Sequence, residues 1–253
     1  MIIARITAVN GTTQFQDPVL AYDRLAKDYA ELAKKRVHYL AGVEREVLSR
    51  VPTGSSSLLD IGAGDGSRTL RIASAARISR IVLAEPSERM LSQAPNGITV
   101  WRDRAEDLGI RRSSEAFDVI TCLWNVLGHI RGESRRVQAL SAVKNLLSEK
   151  GRFFLDVTHR YNLRSYGMFP TAARLLHDVF VRGETNGDVG VNWNIGNARI
   201  STYGHVFTHN EVLVLASNSG LKLEERVVID YETGTVRARA FQGNLLYVFR
   251  QED

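Results

Sequence analysis

Between Pro18 and Arg50 the apolar positions Tyr22, Leu25, Tyr29 and Leu32, then Val37, Leu40, Val43 and Val47, recur at three- and four-residue steps, which predicts helices that each bury one face. Pro52, Gly54 and the serines Ser55, Ser56 and Ser57 end that run. The period then changes. Leu58-Leu59-Asp60-Ile61 is a short apolar run that leads directly into Gly62-Ala63-Gly64-Asp65-Gly66 and a helical stretch over Ser67–Ala76. Strand, glycine turn and helix open a parallel α/β unit. The pattern continues with strand Ile81–Ala84, helix Glu88–Gln93, strands Ile98–Trp101 and Val119–Leu123, helix Arg135–Leu147 and strand Arg152–Val157. Alternation with short connections predicts a parallel sheet covered by helices on both faces.

After Asp156 the alternation breaks. From His159 to Phe207 there is one helical stretch, Ala172–Val181, and two strand-like runs around Gly196-Asn197, a hairpin-turn dipeptide. Thr208-His209-Asn210-Glu211 has the form of a capping box, so a helix starts there and Gly220 ends it. Strands Lys222–Ile229 and Gly243–Arg250 close the chain. Residues 1–16 show no period, contain Asn10-Gly11, and read as an irregular or edge segment without an assigned role.

Composition narrows this picture. The 253 residues are 44% hydrophobic and 24% charged, close to soluble globular averages, so disorder and fibrous repeats are excluded. No apolar run approaches the roughly 18–20 residues of a membrane span, and Met1–Ile6 is too short for a secretory signal; the expected location is cytoplasmic. Cys122 is the only cysteine, which excludes an intrachain disulfide and a cysteine-based zinc site. The net charge of +5 comes from basic residues scattered among acids, not from a stripe, so it reads as solvated surface.

The glycine loop after Asp60 carries the chemistry. Its glycines allow a sharp turn and close approach of a ligand, and the next helix offers free N–H groups. A phosphate loop needs Gly-Lys-Ser/Thr at its end, and no lysine follows. The dinucleotide fingerprint would place Ser67 where its last glycine belongs, and Asp60 would repel a pyrophosphate. S-adenosylmethionine carries a sulfonium and an ammonium group and no phosphate, so an acid here is favourable. Leu58-Leu59-Asp60-Ile61-Gly62-Ala63-Gly64-Asp65-Gly66 resembles motif I of the class I, Rossmann-like S-adenosylmethionine-dependent methyltransferases.

Further segments extend the resemblance over residues 20–160 and 208–250. Glu85 ends the second strand, where the family's acid binds both ribose hydroxyls; a nicotinamide enzyme would use the same group, so Glu85 points to adenosine. Arg104-Ala105-Glu106-Asp107-Leu108 is similar to the adenine-recognising segment, except that Arg104 replaces its usual Asp; the exocyclic-amine contact then shifts to Glu106, with the Ala105 N–H facing the ring. Phe117–Asn125 resembles the fourth-strand motif, after which Leu123 and Trp124 would line the donor pocket. The resemblance implies a doubly wound α/β fold with a mostly parallel seven-stranded sheet and an antiparallel last strand. It also implies a single domain over residues 1–253, with an N-terminal helical lid at 17–50 and a substrate-cap insertion at 159–207 after the fifth strand. The donor-binding set becomes Tyr22, Arg36, Asp60, Gly62, Ala63, Gly64, Glu85, Pro86, Ala105, Glu106, Leu123 and Trp124. Tyr22 would fold over the methionine end and Arg36 would hold its carboxylate; each also has a plain reading as part of an amphipathic helix.

Methyl transfer needs alignment of donor and nucleophile more than a base. His129, after the fourth strand, is the first candidate base and equally a candidate structural histidine; His159 is the second. No metal is expected. The cap position is similar to that of glycine/sarcosine and sugar-amine N-methyltransferases, which implies an amine acceptor of small size. O- or C-methylation of a small metabolite is the alternative, and RNA methylation a further one. Against RNA, Leu123-Trp124-Asn125-Val126 stands where base-amine methylases place Asn/Asp-Pro-Pro-Tyr/Phe. The expected partner is therefore a small-molecule acceptor, with neither nucleic acid nor membrane.

Overall fold

Strand β2 (Ser57–Ile61) shows how the sequence divides the core. Leu58 turns to one face of the sheet, with Val119, Phe154 and Leu246, while Leu59 and Ile61 turn to the other, with Ile120, Phe153 and Tyr247. Such period-two alternation between two apolar faces requires helices on both sides. The computed structural model describes residues 3–8, 15–111, 114–181, 183–195 and 198–252.

In chain order the strands are β1 (Ile3–Ala8), β2, β3 (Arg80–Ala84), β4 (Thr99–Trp101), β5 (Phe117–Cys122), β6 (Leu147–Val157), β7 (Asp188–Ile195), β8 (Ala198–His205), β9 (Leu221–Ile229), β10 (Val236–Arg237) and β11 (Asn244–Gln251). The helices are α1 (Pro18–Leu25), α2 (Tyr29–Lys34), α3 (Val37–Leu48), α4 (Ser67–Ala76), α5 (Glu88–Leu91), α6 (Leu108–Arg111), α7 (Glu133–Leu146), α8 (Leu163–Tyr166), α9 (Met168–Phe180) and α10 (His209–Ser217).

The main sheet runs β10-β9-β11-β6-β5-β2-β3-β4. Strands β4, β3, β2, β5 and β6 are mutually parallel, and β11 is antiparallel to both β6 and β9. The architecture is the expected doubly wound one, with eight strands where seven were expected. The extra strand is the two-residue β10, which pairs Val236 with Ile229 and Arg237 with Val228; two residues are too few to leave a period in the sequence. Helices α3 and α4 cover one face, and α7 and α10 the other. The chain crosses from one side of β2 to the other between β4 and β5. This makes the carboxyl ends of β2, β3 and β5 the switch point at which ligands bind in such sheets.

A second sheet, β1-β7-β8, stands apart from the first. Its hairpin strands β7 and β8 match the two expected runs, whereas the turn residues Gly196 and Asn197 lie outside the described residues. Strand β1 pairs antiparallel with β7 at the edge of this sheet, in accord with the edge reading of the N-terminal segment. Trp193 and Ile200 of this sheet pack against Ala21, Leu25 and Leu32, so the hairpin supports the N-terminal helices from behind.

Helix α9 reverses the usual amphipathic arrangement. Its Thr171 is buried, and its Asp178 accepts from Tyr161 Oη at 2.6 Å and pairs with the buried Arg160. Phe169 and Phe180 face outward. Among the described residues no helix is long and apolar enough to cross a membrane.

Candidate active site

The glycine loop follows β2 because the chain must turn at the carboxyl end of this central strand while a cleft stays open above it. Gly62, Gly64 and Gly66 have φ of 68°, 62° and 74°, the left-handed region that side chains disfavour. A Cβ on Gly62 would lie 2.5 Å from a Val126 methyl, and one on Gly64 would lie 3.1 Å from Met90 Cε and 3.3 Å from Tyr29 Oη. Above the loop is an open cleft whose empty space, solvent included, is about 790 Å³. It runs from Glu85, Pro86, Asp103, Ala105 and Glu106 at one end to Tyr22, Trp124 and His129 at the other.

Helix α1 forms the roof. Asp17 caps its N-terminus by accepting from the Val19 N–H at 2.9 Å, and Pro18 occupies the first turn. Arg104 ties Asp17 to the loop after β4 at 2.9 Å. Asp23 fastens the other side by accepting from Ser87 Oγ at 2.5 Å and from the Arg89 N–H at 3.2 Å.

Glu85 lies at the end of β3, 7% exposed. Its Oε2 accepts from the Gly64 N–H at 3.0 Å and its Oε1 from the Ser87 N–H at 2.9 Å. Burial pushes its carboxyl up to about 7 against those two N–H groups, with the charges of Asp60 and Asp23 adding to the rise. Each oxygen keeps a free acceptor site, so a pair of neighbouring hydroxyls could bind there.

At the other end, His129 Nδ1 lies 2.8 Å from the Tyr203 carbonyl oxygen and Nε2 lies 3.0 Å from Tyr22 Oη. A carbonyl only accepts, so Nδ1 carries the proton, and burial lowers the ring's pKa despite that bond, keeping it neutral. Nε2 therefore presents a lone pair, and Tyr22 donates to it. Burial raises the Tyr22 hydroxyl far above its ordinary range, with the charges of Tyr29 and Glu85 adding to the effect.

Trp124 and Asn125 both adopt positive φ, 64° and 61°, a costly pair for non-glycine residues. Asp156 holds them there: its Oδ2 accepts from the Trp124 N–H at 2.9 Å, its carbonyl from the Asn125 N–H at 3.0 Å, and its Oδ1 from Tyr39 Oη at 2.5 Å. This turn aims Trp124 into the cleft, 5.8 Å from the Tyr29 ring.

Of the residues nominated from the sequence, Tyr22, Gly62, Gly64, Glu85, Pro86, Ala105, Glu106, Leu123, Trp124 and His129 line the cleft. Four stand elsewhere. Asp60 is fully buried behind the loop, where its oxygens accept from Thr69 Oγ1 at 2.5 Å and Thr121 Oγ1 at 2.7 Å and do not line the cleft. Ala63 shapes the loop by bonding through its N–H to the Ala84 carbonyl at 3.3 Å. Arg36 stacks on Tyr231, 4.4 Å from its ring centre. His159 is buried beside Tyr161 and Phe241, outside the cleft, and burial lowers it to about 4.

Sequence reasoning missed Asp103, Tyr29, Met90 and Val126, all lining the cleft. Asp103 stands one position before the motif's usual acid, a displacement that a one-residue search would have found. It also missed Arg68, whose charge acts on Tyr29 and whose Nε is buried without a partner. No residue of 159–207 lines the cleft among the described residues; that segment reaches it through the Tyr203 carbonyl on His129.

Comparison with known proteins accords with this geometry. Residues 59–153 match the family model described as a methyltransferase domain. No curated protein matches the sequence. Among solved structures, an S-adenosylmethionine-dependent methyltransferase from Clostridium acetobutylicum superposes with a TM-score of 0.65 at 16% identity, covering 92% of this chain and 99% of that one. The sugar N-methyltransferase KedS8 from Streptoalloteichus sp. gives 0.58 at 18% identity, covering 98% and 97%. The amino pentose methyltransferase CalS10 from Micromonospora echinaspora gives 0.57 at 16%, covering 96% and 100%. At these identities the likeness establishes a shared fold.

Proposed function

We propose that this chain, whose residues 59–153 match a methyltransferase-domain model, is a class I, S-adenosylmethionine-dependent methyltransferase that methylates an amine nitrogen of a small molecule, with His129 receiving the acceptor's proton. One observation carries the base role, which serves an alcohol or phenol acceptor as well as an ammonium: a neutral histidine presents its Nε2 lone pair, through Tyr22, to the same cleft whose far end holds the carboxylate of Glu85.

The cleft fits S-adenosylmethionine. Glu85 would bind the ribose hydroxyls, and Asp103 and Glu106 the exocyclic amine of adenine beside the Ala105 backbone. Arg68, with its unpaired Nε, would meet the donor's carboxylate in place of Arg36. When bound, the cofactor supplies a methyl group already activated on a positive sulfur. The chain's own task is then alignment and exclusion of water. Tyr29 and Trp124 close the sides, and α1 closes the top.

An amine entering as ammonium loses part of its preference for charge in a buried site. Its proton passes to the Tyr22 oxygen as the Tyr22 proton moves to His129 Nε2, which leaves Tyr22 a hydroxyl and His129 an imidazolium whose Nδ1–H remains on the Tyr203 carbonyl. General-base assistance of this kind contributes roughly 10²–10⁴-fold. Two proteins of the same fold bear the names sugar N-methyltransferase and amino pentose methyltransferase, which supports an amine acceptor. The proposed setting is the cytoplasm.

The test is a screen with donor labelled in its methyl group against small amines, amino sugars, phenols, alcohols and total RNA. Label on an amine nitrogen, lost by about 100-fold or more in His129→Ala, is the expected result. Label on oxygen alone would move the enzyme to the O-methylating class, and label in RNA alone would remove the small-molecule reading.

A further inference from the structure

Behind the cleft, the hairpin β7–β8 is joined to α7 and α10 by a buried charged cluster. Asp188 and His205 face each other across the hairpin. Asp188 Oδ1 accepts from His205 Nδ1 at 2.7 Å and from Tyr203 Oη at 2.6 Å. His205 Nε2 lies 2.7 Å from Glu211 Oε1, so both ring nitrogens face carboxyl oxygens. Arg136 of α7, 1% exposed, donates to Tyr203 Oη at 2.7 Å and lies 3.7 Å from Glu211. Arg136 and the His205 ring thus meet the two carboxyl groups, with the Tyr203 hydroxyl between them. Glu211 is itself fixed by its capping box with Thr208.

The backbone of the same two strand residues faces the active-site loop. The Tyr203 carbonyl accepts from His129 Nδ1, and the His205 carbonyl accepts from Asn125 Nδ2 at 3.1 Å. Asn125 and His129 bracket the short 3₁₀ turn over Val126–His129 that forms one wall of the cleft. In a strand, residues two apart share a face, so fixing the side chains of Tyr203 and His205 fixes both carbonyls together. A one-residue slip of β8 would carry the two carbonyls away from the loop.

We infer that Arg136, Asp188, Tyr203, His205 and Glu211 form a positioning cluster that determines which nitrogen of His129 bears the proton. Its catalytic meaning rests on the proposed function of His129; its effect on the ring does not. A neutral imidazole has two tautomers, and nothing in the ring itself aims its lone pair at Tyr22. The Tyr203 carbonyl does so, because it accepts only from a protonated Nδ1. A cluster of opposed charges suits this task better than an apolar contact. Its bonds are directional, and a displaced strand would leave buried charges unpaired. None of its five residues lines the cleft.

The experiment is side-chain nitrogen NMR on the full-length protein labelled in its six histidines, with assignments from single substitutions. Wild type is expected to show His129 as the single Nδ1–H tautomer. In Asp188→Asn and in the milder Tyr203→Phe, His129 is expected to become a mixture of tautomers, while calorimetry shows S-adenosylhomocysteine binding unchanged. A wild-type His129 in the Nε2–H form overturns the inference, as does a pure Nδ1–H form retained in both variants. If His129→Ala leaves turnover intact, the base reading fails while the tautomer result stands. If turnover depends on His129 but its tautomer ignores the cluster, the inference fails alone.

Discussion

Tyr22 Oη lies 3.0 Å from His129 Nε2, a bond between the N-terminal roof helix and the loop after β5, residues 107 positions apart. It ties closure of the roof to the orientation of the candidate base, because the hydroxyl that covers the cleft also occupies the ring's lone pair. Tyr22→Phe keeps the aromatic contacts with His129 and Trp193 but removes the relay. Turnover of the amine found in the screen should fall by roughly 10²-fold with little change in donor affinity, measured by steady-state kinetics and calorimetry. A weakened donor affinity at unchanged turnover would assign Tyr22 to binding instead.

Glu85 is buried enough that its carboxyl rises to about 7 before any ligand arrives. Ribose hydroxyls donate to the ionised form, so binding near pH 6 should release a proton, and affinity for S-adenosylhomocysteine should increase from pH 5.5 to about 7.5. Calorimetry in buffers of different ionisation enthalpy reads that proton directly. Glu85→Ala should weaken binding by about 1–3 kcal/mol and abolish the proton release. A pH-independent affinity would exclude Glu85 from the site.

At Gly64, alanine would carry a Cβ at φ 62° and 3.1–3.3 Å from Met90 Cε and Tyr29 Oη. Gly64→Ala is expected to cost about 1–2 kcal/mol of stability through the left-handed backbone. It should also reduce S-adenosylhomocysteine affinity tenfold or more, because the displaced side chains line the cleft. Thermal unfolding and calorimetry separate the two effects.

Arg68 and Arg36 make opposite predictions. If Arg68 meets the donor carboxylate, Arg68→Ala should lose about 1.5–3 kcal/mol of binding to S-adenosylhomocysteine, the value of a hydrogen bond to a charged group. Decarboxylated donor should bind both forms alike. Arg36→Ala, which removes only a stacking contact on Tyr231, should leave affinity unchanged.

His159 carries a prediction about acid stability. Burial lowers its ring to about 4 in the folded protein, from an ordinary 6.5. The unfolded chain therefore binds a proton first as pH falls. The stabilising contribution is fully present above about 6.5 and is lost between there and 4, on the order of 3 kcal/mol in all. Denaturant unfolding from pH 7 to pH 4 should show this loss, and His159→Gln should make the slope shallower. An unaltered slope would show that other groups set the acid limit.

Much of this molecule was legible in one dimension because the determinants are local. The step from a 3.6-residue period to short apolar runs marked where helices give way to strands. Helix α4 begins and ends where the pattern places it, at Ser67 and Ala76, and the capping box at Thr208 formed as its spacing requires. The placement of Glu85 and of the glycines at 62 and 64 along the cleft was readable because it follows from position on a strand end and a turn. Other features depend on partners remote in sequence. Asp60 looks like a ligand group until Thr69 and Thr121 are found donating to its oxygens behind the loop. Arg36 and Arg68 are equally basic in sequence, and only packing puts one on Tyr231 and the other near Tyr29.

Helix α9 shows the limit of periodicity: the pattern marks two faces, but Arg160 and Tyr161 draw its polar side inward through Asp178. His129 shows it again, since no sequence states which nitrogen is protonated. The sequence by itself determined the alternating α/β order, the glycine loop and the acid that follows β3, because periodicity, turn chemistry and strand-end position act over a few residues. Only the tertiary structure decided the second sheet, the cation beside Tyr29 and the tautomer of His129. Each of those arises from groups that are adjacent only after the chain has folded, where burial and a hydrogen-bond partner from another element set the chemistry of a side chain.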